Sequence, residues 1–246
     1  MRKIKFSIVI PCYNEKDNIQ LLLDRFLESI IKFEEDNKFD PAEFELILVD
    51  NGSTDGTNDL FKTIDKKYWF CKVVSTRENL GYGGGIKLGL DHCKGEYIGW
   101  THADLQADPE DVLRGFEICN NNARSDILYI KGRRRKRKFM DRAFSKGMSL
   151  FEFILFLDWY DDINSQPNIF SKSLLEQAHN APNDFSLDLF FYYLAKKLCA
   201  DIIRFDVLFP DRIYGESKWN SGILSRIKFI ARTIAFSIKL KKGTMI

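Results

Sequence analysis

The chain has 246 residues, 45% of them hydrophobic, with 37 Lys and Arg against 35 Asp and Glu for a net charge of +2. This supports one large folded core with appendages and excludes a disordered or fibrous chain and two full domains. Cys12, Cys71, Cys93, Cys119 and Cys199 are odd in number and never C-x-x-C spaced. That argues against a disulfide framework or structural zinc and for a reducing cytosol.

Strand-like stretches at 4–10, 44–49, 72–75, 96–101 and 126–131 alternate with helix-like stretches near 16–33, 56–67, 84–93 and 109–120. Strands such as F-S-I-V-I and F-E-L-I-L-V are apolar on both faces, so the expected fold is α/β, an open, mostly parallel sheet flanked by helices. After 140 come an amphipathic segment (141–158), a polar turn (D-I-N-S-Q-P), a helix near 184–199, a strand near 202–208 and a last helix near 222–240. The apolar stretch at 6–10 is broken at once by Pro11, so no signal peptide is expected. No later apolar run approaches the ~20 residues of a membrane span.

The charge is unevenly spread. Glu216 is the last acidic residue, and the stretch 217–246 holds seven basic ones, leaving residues 1–216 at −5. The chain accordingly reads as a main domain over 1–215 and a basic amphipathic tail over 216–246. A second cluster, Lys131 to Lys138, has seven basic residues in eight. Such patches point to phosphate-bearing partners; without interleaved aromatic residues to stack bases, nucleic acid is not expected. At about 100° per residue, Ile223, Ile227, Ile230, Ile234 and Ile238 share one face of the last helix, with Phe229 and Phe236 outside it. Core packing explains such a stripe; the basic tail favours a helix lying on an anionic membrane surface.

In an open parallel sheet the ligand sits outside the carboxyl ends of the strands. Those ends are polar and acidic here: P-C-Y-N-E after the first strand, D-N-G-S-T-D-G after the second, T-H-A-D-L-Q after the fourth. Carboxylates and amides in a crevice suit a divalent cation and ribose hydroxyls.

In order along the chain, I-V-I-P-C-Y-N-E-K-D-N-I, L-I-L-V-D-N-G-S-T-D-G-T, E-N-L-G-Y-G-G-G-I-K-L-G-L, H-A-D-L-Q-A-D-P-E, G-R-R-R-K-R-K and D-R-I-Y-G-E-S-K resemble family two glycosyltransferases of the GT-A fold, and among them the polyprenyl- and dolichyl-phosphate sugar transferases. The strings cover residues 8–218. The resemblance implies an inverting, metal-dependent transferase moving a sugar from a nucleotide sugar to a polyprenyl phosphate, peripheral on the cytoplasmic face of a membrane. The alternatives are transfer to a glycan hydroxyl and an inactive sugar-nucleotide-binding protein.

By the same resemblance, Pro11, Tyr13, Glu15, Asp50, His102 and Asp104 surround the nucleotide sugar, and Asp104 and Gln106 hold Mg2+ or Mn2+. Arg133, Arg142, Arg212 and Lys218 contact phosphates, the last two from a loop over the site. His102 stands where the family has Asp; it still bonds a ribose hydroxyl but brings no negative charge. Asp50 is otherwise a turn residue, and Asp55 reads as a helix cap. Asp188, on an apolar helix, is either a catalytic base for a hydroxyl acceptor or a helix carboxylate. The glycines 81 and 83–85 lack a phosphate-loop pattern and read as close packing. His92 and His179 read as structural.

Overall fold

The computed structural model describes residues 3–36, 38–64, 66–136, 139–210 and 223–243. Strands β1 (Phe6–Cys12), β2 (Phe44–Asn51), β3 (Cys71–Thr76) and β4 (Tyr97–Trp100) alternate with helices α1 (Lys16–Glu35), α2 (Thr57–Lys62), α3 (Gly81–Leu90) and α4 (Pro109–Asn121). Then follow β5 (Leu128–Arg135), α5 (Phe139–Phe156), β6 (Asn168–Ser171), α6 (Lys172–Glu176), α7 (Leu187–Lys197), β7 (Asp201–Leu208) and α8 (Ile223–Lys241).

The strands form one sheet in the order β3-β2-β1-β4-β6-β5-β7. All neighbours are parallel except β6, which runs antiparallel to both β4 and β5. Every residue of β2 is buried, as its two-faced apolar sequence requires. One face packs a core from Phe26, Ile30 and Phe116 of α1 and α4; the other packs Ile86, Phe190, Phe191, Phe236 and Leu240 of α3, α7 and α8.

The strand β6 was not expected, since four residues are too few for a period to show. Its place is made by its neighbours' glycines. A Cβ on Gly99 of β4 would sit 2.1 Å from the Asn168 carbonyl oxygen, and one on Gly132 of β5 would sit 2.0 Å from that of Gln166. The glycines of α3 pack closely as expected, though not only on the sheet. Gly89 meets Val9 and Val49, while Gly83 lies against the backbone of Pro182 and Asn183.

The last helix buries Phe236, Ser237 and Leu240 and leaves Ile238 exposed. The buried face is therefore the one carrying Phe236, not the isoleucine stripe, of which Ile230 and Ile234 are half-buried. Against this face lies Glu152 of α5, fully buried, with Oε1 accepting from the Ser237 hydroxyl at 2.7 Å and no hydrogen-bond partner for Oε2 among the described residues. Burial raises this carboxyl to about 7. An acid whose folded-state pKa is raised binds more protons folded than unfolded between its two pKa values, so the native state loses stability as pH climbs from the ordinary Glu range, about 4.3, toward about 7. Glu152→Gln keeps the acceptor and removes the charge. Thermal melts of this variant should exceed wild type at pH 8 and converge with it near pH 4; an unchanged difference across that range would contradict the account.

Candidate functional site

The carboxyl ends of β1 and β2 are stitched together by side chains. Asn14, in the left-handed region at φ 58°, accepts from the Thr54 amide at 2.8 Å, and its own amide donates to the Ser53 hydroxyl at 3.1 Å. Asp55 accepts from the Thr57 amide at 2.9 Å and the Lys16 amide at 3.1 Å, so one carboxylate caps the starts of both α2 and α1, as its cap reading required. Asp50 is buried, accepting from the Ser53 amide at 3.0 Å and from Asn58 Nδ2 at 2.7 Å. It thus makes the turn contacts that the plainer reading of it foresaw. Pro11, Tyr13 and Glu15 are half-buried around the adjacent end of β1. Cys12 sits in register with Asp50; burial first, then the Glu15, Asp50 and Asp55 carboxylates, push its thiol well above the ordinary value.

The β4 end supplies the second wall. Asp104 is buried and His102 half-buried. Between Asp104 and Gln106, Leu105 has a φ of 57°, a conformation a bulky residue adopts only under constraint. The turn brings the Gln106 amide to Asp104 Oδ1 at 3.1 Å, and Gln106 Nε2 donates to the Pro210 carbonyl at 2.9 Å. Pro210 directly precedes the segment bearing Arg212 and Lys218, which lies outside the described residues.

Among the described residues no group of three or more His, Cys, Asp and Glu could hold a metal. Asp104 and Gln106 nevertheless offer a carboxylate and an amide oxygen, hard donors that fit Mg2+ or Mn2+ completing its shell from phosphate and water.

Beneath His102 runs a buried polar chain that sequence reasoning missed. The Tyr82 hydroxyl lies 3.5 Å from His102 Nε2 and accepts from Gln166 Nε2 at 3.2 Å. Gln166 Nε2 also donates to Asp188 Oδ1 at 3.0 Å, and Asn168 Nδ2 donates to the same oxygen at 2.9 Å. Tyr82 stacks on Phe185 with ring centroids 4.4 Å apart. Burial and the Asp188 carboxylate hold the Tyr82 hydroxyl protonated well above its usual range. Asp188 is 1% exposed.

The basic cluster divides. Lys131 is not on a lipid-facing surface: it is fully buried, donating to the Ser165 carbonyl at 2.9 Å and Asn168 Oδ1 at 2.6 Å, and burial lowers it to about 7 against the opposing pull of Asp188. Both faces of β5 are covered over Leu128 to Gly132, so a cation at position 131 has no solvent face to take. Arg133 turns onto Asp206 at 2.7 Å, whereas Arg134 forks onto buried Asp162. Arg142 is exposed on α5. An open cleft is lined by Arg134, Met148, Ile163, Phe185, Leu189 and Thr233, among others. Phe185 therefore stands between this cleft and Tyr82. The arginine brought to the cleft is Arg134, one residue beyond the position that the motif singled out.

An α/β sheet of this kind, with acidic and amide residues on the carboxyl ends of β1, β2 and β4, defines a GT-A glycosyltransferase fold. The chain belongs to glycosyl transferase family 2, whose profile matches residues 7–177. It is 27% identical over 139 residues to the dodecaprenyl-phosphate galacturonate synthase of Rhizobium johnstonii, covering 56% of this chain and 38% of that one. It is likewise 27% identical over 228 residues to the undecaprenyl-phosphate 4-deoxy-4-formamido-L-arabinose transferase of Photorhabdus laumondii, covering 88% and 63%. The chain thus spans less than two thirds of the length of these curated relatives. Among solved structures, the mannosyltransferase PcManGT of Pyrobaculum calidifontis, in complex with GDP-Man and Mn2+, aligns with a TM-score of 0.67 at 19% identity over 97% of this chain and 65% of that one.

Removing Asp188 takes one acceptor each from Gln166 Nε2 and Asn168 Nδ2, which keep the Tyr82 hydroxyl and Gln166 Oε1, so Asp188→Ala should lower unfolding stability by about 1–3 kcal/mol, whereas Tyr82→Phe should cost about 1 kcal/mol. Denaturant melts of both variants measure this. An Asp188→Ala protein as stable as wild type would return Asp188 to the role of a base.

Proposed function

We propose that this protein transfers a sugar, with inversion, from a nucleotide sugar to a polyprenyl phosphate at the cytoplasmic face of a membrane. The observation that carries this reading is the β4 turn, where a constrained Leu105 sets Asp104 and Gln106 beside the stitched ends of β1 and β2. Two relatives named for polyprenyl-phosphate substrates support the acceptor class.

The nucleoside lies against Pro11, Tyr13, Glu15 and Asp50, and His102 bonds a ribose hydroxyl. Mg2+ or Mn2+, held by Asp104 and Gln106, supplies Lewis-acid stabilisation to the departing nucleoside diphosphate. An oxygen of the acceptor phosphate attacks the anomeric carbon from the face opposite the diphosphate, and the breaking bond leaves its electron pair on the diphosphate oxygen. A phosphate is already anionic at neutral pH, so the step needs no general base. Buried Asp188, occupied by two amides, then acts as a positioning residue: it orients Gln166, which orients Tyr82 and through it His102. Arg212 and Lys218 grip phosphate oxygens, where guanidinium offers a bidentate fork. Arg133 and Arg142 are further phosphate contacts, the first on release from Asp206.

Incubation of the full chain with labelled nucleotide sugars, Mn2+ and a short-chain polyprenyl phosphate in detergent should give a lipid-extractable product. Asp104→Asn should cut turnover by at least about a hundredfold, the scale of losing one electrostatic contact in the transition state, with no shift in melting temperature. Full activity in excess chelator removes the metal from the reading. A product found only on glycan hydroxyls moves the acceptor class, and donor binding with no transfer to any acceptor leaves a binding protein.

A further inference from the structure

The helix α5 has a buried side and, about a third of a turn away, an exposed apolar side. Its Ser149, Glu152 and Phe156 turn inward, toward α8 and α7. A second series, Leu150, Phe153, Ile154 and Leu157, recurs at helical spacing on the other side and is exposed by 52%, 42%, 67% and 79%. Trp159 extends it, its ring 5.9 Å from that of Phe153 and half exposed. Leu157 has a φ of 58° just past the helix, a position where glycine is the easy choice and a bare leucine the costly one. A helix that merely covers a core is polar outside.

The surroundings of this strip are basic. From Arg142 to the end of α5 the single acid is buried Glu152, while Arg142 and Lys146 are exposed. The helix α8, packed alongside, exposes Lys239 and Lys241 at its end, with Lys242 just beyond, and Arg232 further back, 3.8 Å from Asp184. Asp158, at the strip's edge, is paired with Lys196 at 2.6 Å.

We propose that the outer side of α5, with the basic side of α8, docks on an anionic lipid bilayer. Leu150, Phe153, Ile154, Leu157 and Trp159 enter the acyl boundary, Trp159 at headgroup level, and the lysines and arginines meet lipid phosphates. The charge selects this occupant: a second copy of the chain would set basic side against basic side. This contact differs from the isoleucine stripe expected on the last helix, of which Ile238 is exposed and Ile230 and Ile234 are half-buried. The proposal deepens the reading of a lipid acceptor and rests on it for its purpose, because docking would lay α5, whose opposite side (Phe144, Ser145 and Met148) walls the cleft containing Arg134, along the bilayer.

The test is co-sedimentation of the full chain with vesicles of equal phosphatidylglycerol and phosphatidylcholine, and with phosphatidylcholine alone, at low and high salt. Wild type should partition into the anionic vesicles about tenfold better than into neutral ones, salt should abolish the difference, and Ile154→Glu with Leu157→Glu should weaken binding about tenfold or more. Both positions are exposed, so the variant should melt with wild type. Trp159→Phe should sediment nearly as wild type yet lose the vesicle-induced blue shift of tryptophan emission. Wild type that ignores anionic vesicles, a double variant that binds unchanged, or a blue shift that survives Trp159→Phe overturns the proposal. So does a wild type whose oligomerisation the double variant alone abolishes. Transfer in detergent is measured separately: the double variant should retain it, so failed transfer by wild type with intact vesicle binding sinks the acceptor reading and not the docking.

Discussion

Between β4 and β5 the sheet is joined by a strand of four residues, and the side chain of its first residue, Asn168, has its hydrogen-bonding groups engaged on neighbours. Its oxygen accepts from the Tyr129 hydroxyl and from Lys131 Nζ; its nitrogen donates to Asp188 and to Gln166 Oε1. One amide thus links β5, β6 and α7 across the seam between the wholly parallel run β3-β2-β1-β4 and the half of the sheet carrying the arginines. In a low-dielectric core each of these groups is expensive to leave unpaired, so the network tolerates one arrangement. Gln166 and Tyr82 transmit that arrangement to His102.

The parts of this design that obey a period were legible in the sequence. The strands of the first half, their two-faced apolar character and the acidic strand ends all follow from local pattern, and the sheet's parallel half formed where expected. What escaped reading is what depends on residues distant in the chain. β6 is too short to show alternation, and its antiparallel course depends on Gly99 and Gly132 yielding space to its backbone. Lys131 looked like one cation among seven because its neighbours in sequence are cations; its burial depends on Ser165 and Asn168, more than thirty residues on. Arg133 and Arg134 differ only in strand parity and in which of Asp206 and Asp162 faces them.

Amphipathicity poses a related difficulty at the other end of the molecule. A hydrophobic stripe says that a surface is covered and not by what. In α8 the covered face is that of Phe236 and Leu240, while Ile230 and Ile234 are only partly withdrawn from water and Ile238 is exposed. In α5 two stripes compete, and the inner one contains a glutamate that a purely structural helix has no reason to bury with a single hydroxyl for company. The inner stripe joins α5 to α8 and the outer one is left over, so the pair behaves as one layer with a wet basic rim and an unspent apolar face.

That layer and the β4 turn meet at a definite place in the chain. Gln106 reaches from the strained turn at Leu105 to the carbonyl of Pro210, the last described residue before the segment bearing Arg212 and Lys218, and α8 begins just beyond that segment. The described residues that flank the segment are each anchored: Pro210 through Gln106, and α8 through its Phe236 face and the Ser237 contact to Glu152 of α5. Phe185 stacks on Tyr82 and lines the cleft, and Arg232 of α8 lies 3.8 Å from Asp184 on the adjoining loop. The β4 turn and the α5–α8 layer are thus held by separate sets of contacts whose common neighbour in the chain is that one segment.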